Sequence, residues 1–393
     1  MHDDQPVHRP EKRNGGVLHR FAKAYGKARE WHCSRLRASL VGVRFAVWGT
    51  AGASPRMVAG AFHVSAAAIG MPESMGDTQR LSCVGEIGIG RSVGASPMLR
   101  RMKPSPISFA GQVGLVTGAA GGLGLAYSRL MAQRGAHVVM HDVGAGLDGR
   151  GSDASRIDDA VAALQAQGLS VEAASGAIDE RACCHALVRD VLQRHGRIDF
   201  IVHNAGWVAY ELLEAVDDDA LEQMLRVAAK TPLWLAQAAW PAMREAGGGR
   251  IVVTTSDRAL YPQYAQKGLA GYAMAKMAAL GLVNVLALEG AEHGIVVNAV
   301  SPVAKTRMWG IDGEPDELHP DAVANGVAFL ASTRCREGGW VLRASNGQFH
   351  ALRLQEAEHV GYPRDLRAVV ADSIESVALQ WPVIARPSVD ARG

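Results

Sequence analysis

The sequence predicts an α/β fold in which one doubly wound parallel sheet is covered by helices on both faces, preceded by an N-terminal extension. Three observations predict it. Helix-like and strand-like segments alternate from Val113 to Ala299. The β-branched runs Ile251-Val252-Val253 and Ile295-Val296-Val297 suit strands buried on both sides. A glycine-rich turn joins the first strand to the first helix.

The extension is set apart by charge. Residues 1–98 hold thirteen Lys/Arg against seven Asp/Glu, while the remainder holds 28 against 32. They show no sustained periodicity and no nucleotide motif. Three readings stand open: a disordered basic arm, an Arg-rich transit peptide, or residues ahead of the true start, with Met98 and Met102 as starts. The chain therefore divides into a basic extension (1–98), the α/β domain (99–361) and a C-terminal helical tail (362–393).

Composition excludes several classes. No charge-free apolar run of about 18–20 residues marks a membrane span. Five cysteines without paired ligand spacing indicate neither a disulfide framework nor a metal site. A cytoplasmic location is the expectation. Scattered arginines without spaced aromatics do not indicate nucleic acid.

The domain begins near Phe109. Its first strand, Val113 to Val116, leads into Thr117-Gly118-Ala119-Ala120-Gly121-Gly122-Leu123-Gly124 and then a helical run through Arg134. Glycines are needed here because a pyrophosphate must approach the backbone closely and meet free amides at the helix N-terminus. The next strand, His137 to His141, ends at Asp142, 24 residues beyond Gly118. A carboxylate there accepts from ribose hydroxyls and repels a 2′-phosphate, so NAD is expected ahead of NADP, with Arg150 and Arg156 able to blunt the preference.

Helix, strand, helix and strand follow at 155–167, 171–174, 179–195 and 200–202, then a long helix at 220–243, a strand at 251–254, a long helix at 270–289 and a strand at 296–299. In such a sheet the ligand sits beyond the strand C-termini. Asn204-Ala205-Gly206, Ser256 and Ser301-Pro302 all fall there.

Tyr272 and Lys276 are four residues apart, on one turn of one helix. A neighbouring ammonium stabilises phenolate and pulls the tyrosine pKa toward the range of a general acid or base.

With these motifs in this order, residues 107–355 resemble the short-chain dehydrogenase/reductase superfamily, whose Rossmann-type sheet has about seven strands. The resemblance implies that Gly118, Gly122, Leu123 and Gly124 line the pyrophosphate. It implies further cofactor contacts at Asn204, Ala205, Gly206 and Thr306, with Asn204 also steadying the central strand. Ser256 would hold the substrate oxygen, Tyr272 would be the acid/base, and Lys276 would bond the nicotinamide ribose. A homodimer or homotetramer is implied by the same route.

The stretches "VVMHDVGAG", "GRIVVTTSDRALY", "SPVAKTRM" and "TRCREGGWVLRASNGQF" are similar to the 3-hydroxyacyl-CoA dehydrogenase unit of the peroxisomal multifunctional enzyme type 2 group and its bacterial relatives. That likeness implies an acyl-CoA or another hydrophobic secondary alcohol or ketone as substrate. Trp207 to Leu213 and Met308 to Leu318 are the expected pocket wall.

Four positions depart from the pattern. Ala228 stands at the usual Asn of a proton relay, His203 at the first Asn of Asn-Asn-Ala-Gly, and Gly176 at a customary adenine-contacting Asp. Ser256 precedes Tyr272 by sixteen residues instead of about thirteen, so the loop between them carries an insertion that surface loops tolerate. His203 is expected to pack. These departures keep open an alternative, a non-catalytic dinucleotide-binding sensor or scaffold.

Overall fold

The computed structural model describes residues 105–310, 315–356 and 360–385, the side chain of Trp309 excepted. Every described residue belongs to one unit, 95–393. The readings of the extension, of the start at Met98 or Met102, and of Trp309 as pocket wall lie outside the described residues.

The sheet has eight strands in the order β3-β2-β1-β4-β5-β6-β7-β8. They are β1 (Val113–Thr117), β2 (His137–His141), β3 (Val171–Ala174), β4 (Phe200–His203), β5 (Gly249–Thr254), β6 (Ile295–Val303), β7 (Val341–Ser345) and β8 (Gln348–Leu352). β1 to β7 pair in parallel, and β8 returns antiparallel on β7. Eight strands agree with the expected number of about seven; the last is added by a hairpin whose turn is made by Asn346, at positive φ, and Gly347.

The helices are α1 (Gly122–Gln133), α2 (Ser155–Gln165), α3 (Arg181–His195), α4 (Asp218–Leu225), α5 (Thr231–Glu245), α6 (Asp257–Leu260), α7 (Ala270–Ala291), α8 (Pro320–Ala331) and α9 (Ile374–Ile384). One apolar layer joins α1, α2 and α8 to one sheet face, and a second packs α3, α5 and α7 on the other. Phe109 closes the start of the domain: it is 1% exposed, its amide donates to Arg134 O at 2.8 Å, and its ring meets Phe200 edge-on at 5.4 Å.

The long helix expected at 220–243 is broken. A π-helical turn, Arg226–Lys230, separates α4 from α5. Such a turn spreads one extra residue into the helix and frees carbonyls from the regular ladder, a distortion found often at functional sites. Asp217 caps α4 by accepting from Ala220 N.

By length and composition α7 is long and apolar enough to cross a membrane. Its face bearing Ala275, Lys276, Ala279 and Val283 is nonetheless buried in the domain, which is how a core helix passes the same test.

Candidate active site

The cleft opens at the C-terminal ends of β1, β2 and β4, where the strand order reverses. It encloses about 1090 Å³ and is lined by Gly118, Gly122, Leu123, Asp142, Asn204, Ala205, Gly206 and Thr306, as expected from the sequence. α1 points its N-terminus at it with no side-chain cap and no acidic residue in the first turn, leaving amides to meet an anion.

Two glycines are required. Gly118 has φ +67°, and a Cβ there would sit 2.8 Å from the Ala205 Cα. Gly124 lines no cleft wall itself; a Cβ on it would lie 2.1 Å from Gly118 O, so its absence lets the helix close on the turn. This close approach of backbone to backbone, the uncapped helix end and the carboxylate beyond β2 fit a dinucleotide. Asp142 is held in place by amides: Oδ2 accepts from Ala120 N at 3.0 Å and Oδ1 from Gly144 N at 2.7 Å. Each oxygen retains a lone pair for a ribose hydroxyl.

Asn204 donates from Nδ2 to Gly118 O at 3.0 Å, tying the end of β4 to the phosphate turn. Thr117 Oγ1 accepts from the amides of Asn204 and Ala205, each at 3.2 Å. Gly176 accepts from His141 Nε2 at 2.9 Å through its carbonyl, and its φ of +108° suits glycine better than the customary Asp.

His203 is 1% exposed. Its Nε2 lies 2.9 Å from Val227 O, which only accepts, so Nε2 carries the hydrogen and Nδ1 accepts from the Thr117 hydroxyl at 2.9 Å. Burial, aided by the charge of Lys276, pushes its pKa down to about 3, so the ring is neutral. His203 is a packed brace, as expected, bridging β1, β4 and the π turn.

Ser256 and Tyr272 meet across the inserted loop. The extra residues fold into α6 and a 3₁₀ turn, Pro262–Tyr264. Ser256 caps α6, accepting from Arg258 N at 3.3 Å, and its hydroxyl is near enough to Tyr272 to oppose the upward shift that burial gives the phenol. The loop is clamped from behind: Arg343 on β7 donates from Nη2 to Asp257 Oδ2 at 2.7 Å, and from Nε to both carboxylate oxygens. Its guanidinium also lies 4.7 Å from the Tyr261 ring centroid.

Lys276 is buried and donates from Nζ to Thr254 O at 3.2 Å, while the Thr255 hydroxyl donates to Lys276 O at 2.8 Å. A Cβ on Gly206 would approach Nζ to 3.4 Å, so the ammonium sits beneath the cofactor loop. Burial lowers its pKa to about 8.

Electrostatics around Tyr272 differ from the expectation. Burial raises its pKa, and the influences that oppose burial are the nearby Ser256 hydroxyl and the Arg258 charge, with no contribution from Lys276 among them. Arg258 was missed in the sequence; the signal was a cation two residues after the serine. Ala228 is buried in the π turn against Met224 and Ala275 and offers no relay group.

A second cavity of about 460 Å³ adjoins Tyr272, lined by Trp207, Val208, Leu221 and Met224 among others. Asp148, Arg150 and Glu211 also reach it, making it more polar than an apolar wall alone. Leu212 and Leu213 were expected there but are 61% and 79% exposed; a 3₁₀ turn at Leu213–Ala215 carries them outward.

Fold and site together define a dinucleotide-dependent α/β oxidoreductase. The family model of the short chain dehydrogenases matches residues 112–314. Peroxisomal multifunctional enzyme type 2 of Mus musculus is 34% identical over 252 residues, covering 63% of this chain and 34% of that protein. A protein of Mycobacterium tuberculosis described as a short-chain type dehydrogenase/reductase is 30% identical over 273 residues, 69% of this chain and 92% of its own. Among solved structures, a short chain dehydrogenase from Mycobacterium avium superposes with TM-score 0.61 at 27% identity, covering 71% of this chain and 97% of that one. The full-length peroxisomal multifunctional enzyme type 2 of Drosophila melanogaster gives 0.55 at 26%, covering 72% and 46%.

The chain belongs to the short-chain dehydrogenase/reductase family and so to the NAD(P)-binding oxidoreductases that act on CH–OH donors. It spans about a third of the length of the mouse enzyme it matches.

Proposed function

We propose that the protein oxidises a secondary alcohol, or reduces the corresponding ketone, with NAD preferred over NADP. The observation that carries this reading is the nearness of Ser256 and Tyr272, one helical turn from the Lys276 ammonium beneath Gly206 of the cleft, with Asp142 fixed by amides in that cleft. The nicotinamide supplies a hydride acceptor or donor at its C4. Tyr272 exchanges the proton on the substrate oxygen, Ser256 holds that oxygen, Arg258 supplies a positive field that favours phenolate, and Lys276 lies one turn further along the same helix. The non-catalytic alternative finds no support in this assembled trio.

A 3-hydroxyacyl thioester of coenzyme A is the substrate class we favour. The multifunctional enzymes among the relatives support it, and the cavity beside Tyr272 combines an apolar wall at Trp207 and Met224 with Arg150 near its rim. The exposed apolar side chains Met274, Met277, Val285 and Leu288 along α7 favour a homodimer or homotetramer. Cys183, Cys184 and Cys335 are free thiols, which fits a reducing compartment such as the cytoplasm.

The test is a panel of 3-hydroxyacyl-CoA thioesters, steroid alcohols and sugar alcohols assayed with both cofactors. Turnover with NAD at least tenfold more efficient than with NADP supports the reading, and Asp142→Ala then narrows that ratio. A preference for NADP in the unaltered protein defeats the cofactor assignment.

A further inference from the structure

A second cluster of chemistry-bearing residues lies at the opposite end of the strands from the cleft. His137 is the first residue of β2, Glu172 the second of the edge strand β3, and His195 the last of α3. Across the five residues of β2, His137 and the end of the strand that delivers Asp142 are roughly 13 Å apart. Parallel pairing of Val138 with Val171 and Val139 with Glu172 puts His137 and Glu172 on one sheet face, the face α3 covers, and α3 ends there on His195.

Three donor atoms converge. Nε2 of His137, Nε2 of His195 and a carboxylate oxygen of Glu172 lie within 4.8 Å of one another. His195 Nε2 is 2.8 Å from Glu172 Oε1, and His137 Nε2 is 3.6 Å from Glu172 Oε2. Ligands on a tetrahedral ion with bonds of about 2.0–2.1 Å are separated by roughly 3.3–3.4 Å, so these spacings straddle the requirement.

A second observation points to a ligand. Nε2 of His137 is out of contact with solvent and makes no hydrogen bond among the described residues, its approach to Glu172 Oε2 being long at 3.6 Å. The other nitrogen of that ring, Nδ1, is 2.7 Å from Ser170 Oγ, a partner of the kind that orients metal-bound imidazoles.

We propose that His137, Glu172 and His195 form a divalent transition-metal site, best matched to zinc, with water completing the tetrahedron. Two imidazoles and one carboxylate are a ligand set zinc accepts. The site joins the starts of β2 and β3 to the C-terminus of α3 and so fastens the sheet edge. One local cation opposes it: Arg194 Nη1 lies 2.5 Å from Glu172 Oε1. Arg194 also holds Asp190 through Nη2 at 2.5 Å, so it keeps an anionic partner when Glu172 turns to the metal.

The experiment is metal titration of the full-length apo-protein with zinc by calorimetry and with cobalt by visible absorption, repeated on H137A/H195A and on Glu172→Gln. Imidazoles elsewhere in a chain are also potential ligands for added metal, so the readout is a difference. Wild type is expected to take up one more equivalent than either variant, and to show a tetrahedral cobalt band that the variants lack. Its unfolding midpoint is expected to rise on the order of 5 °C at a hundredfold excess of zinc over Kd. NADH binding by each variant confirms that it is folded, and Glu172→Gln serves if the double variant is not. Equal stoichiometry, spectrum and thermal shift in wild type and a folded variant overturn the proposal.

Discussion

His203 Nε2 donates to Val227 O at 2.9 Å, joining the end of β4 to the π turn that carries Ala228. The residue that breaks the family's Asn-Asn-Ala-Gly pattern and the residue that breaks its relay are thus neighbours in one arrangement. The histidine reaches a carbonyl of the π turn with one nitrogen, and its other nitrogen holds Thr117.

Replacing His203 with alanine is expected to destabilise the protein by about 2–4 kcal/mol, since it strands the buried Val227 carbonyl and Thr117 hydroxyl and opens a cavity. Urea unfolding measures this. A loss below about 0.5 kcal/mol would show that the bridge is dispensable.

Lys276 sets a pH signature. The unfolded chain keeps its proton up to the ordinary value near 10.5, the folded protein only to about 8. Between these values the unfolded state binds more protons, so stability rises with pH across that window and the burial penalty is full below it. The slope from this one group is at most ~1.4 kcal/mol per pH unit. In Lys276→Met the slope between pH 8 and 10.5 should be shallower by that contribution, read from urea midpoints at several pH values.

The loop behind Ser256 depends on Arg343. Arg343→Gln removes the paired donors on Asp257 and frees the segment that places the serine. We expect kcat/KM to fall about tenfold with NADH affinity unchanged. Unchanged kcat/KM would mean that the loop holds its shape without the clamp.

Much of this was legible in the sequence, for physical reasons. The strand–turn–helix at Val113 to Arg134 was readable because close approach admits only glycine at Gly118 and Gly124. Asp142 and the Tyr272–Lys276 pair were readable because spacing alone put them beyond a strand and on one helical turn. The π turn was not, since Arg-Val-Ala-Ala-Lys has ordinary helical composition and the distortion is held by His203 from β4 as well as by the Thr231 hydroxyl at the turn's own end. Nor was the outward turn of Leu212 and Leu213, which hydrophobicity argues against. Arg258 and Arg343 escaped because their importance arises from contacts between distant segments: the Asp257–Arg343 pair spans 86 residues.

The measurement that tests the central claim most directly is turnover of Tyr272→Phe on the best substrate of the panel, with NADH binding followed by fluorescence on the same preparation. Loss of the hydroxyl removes the proton donor and the Ser256 contact while leaving the cleft intact. Turnover is expected to fall by at least two orders of magnitude with NADH affinity unchanged. A variant that binds NADH normally and keeps more than a few per cent of wild-type turnover would contradict Tyr272 as the acid/base.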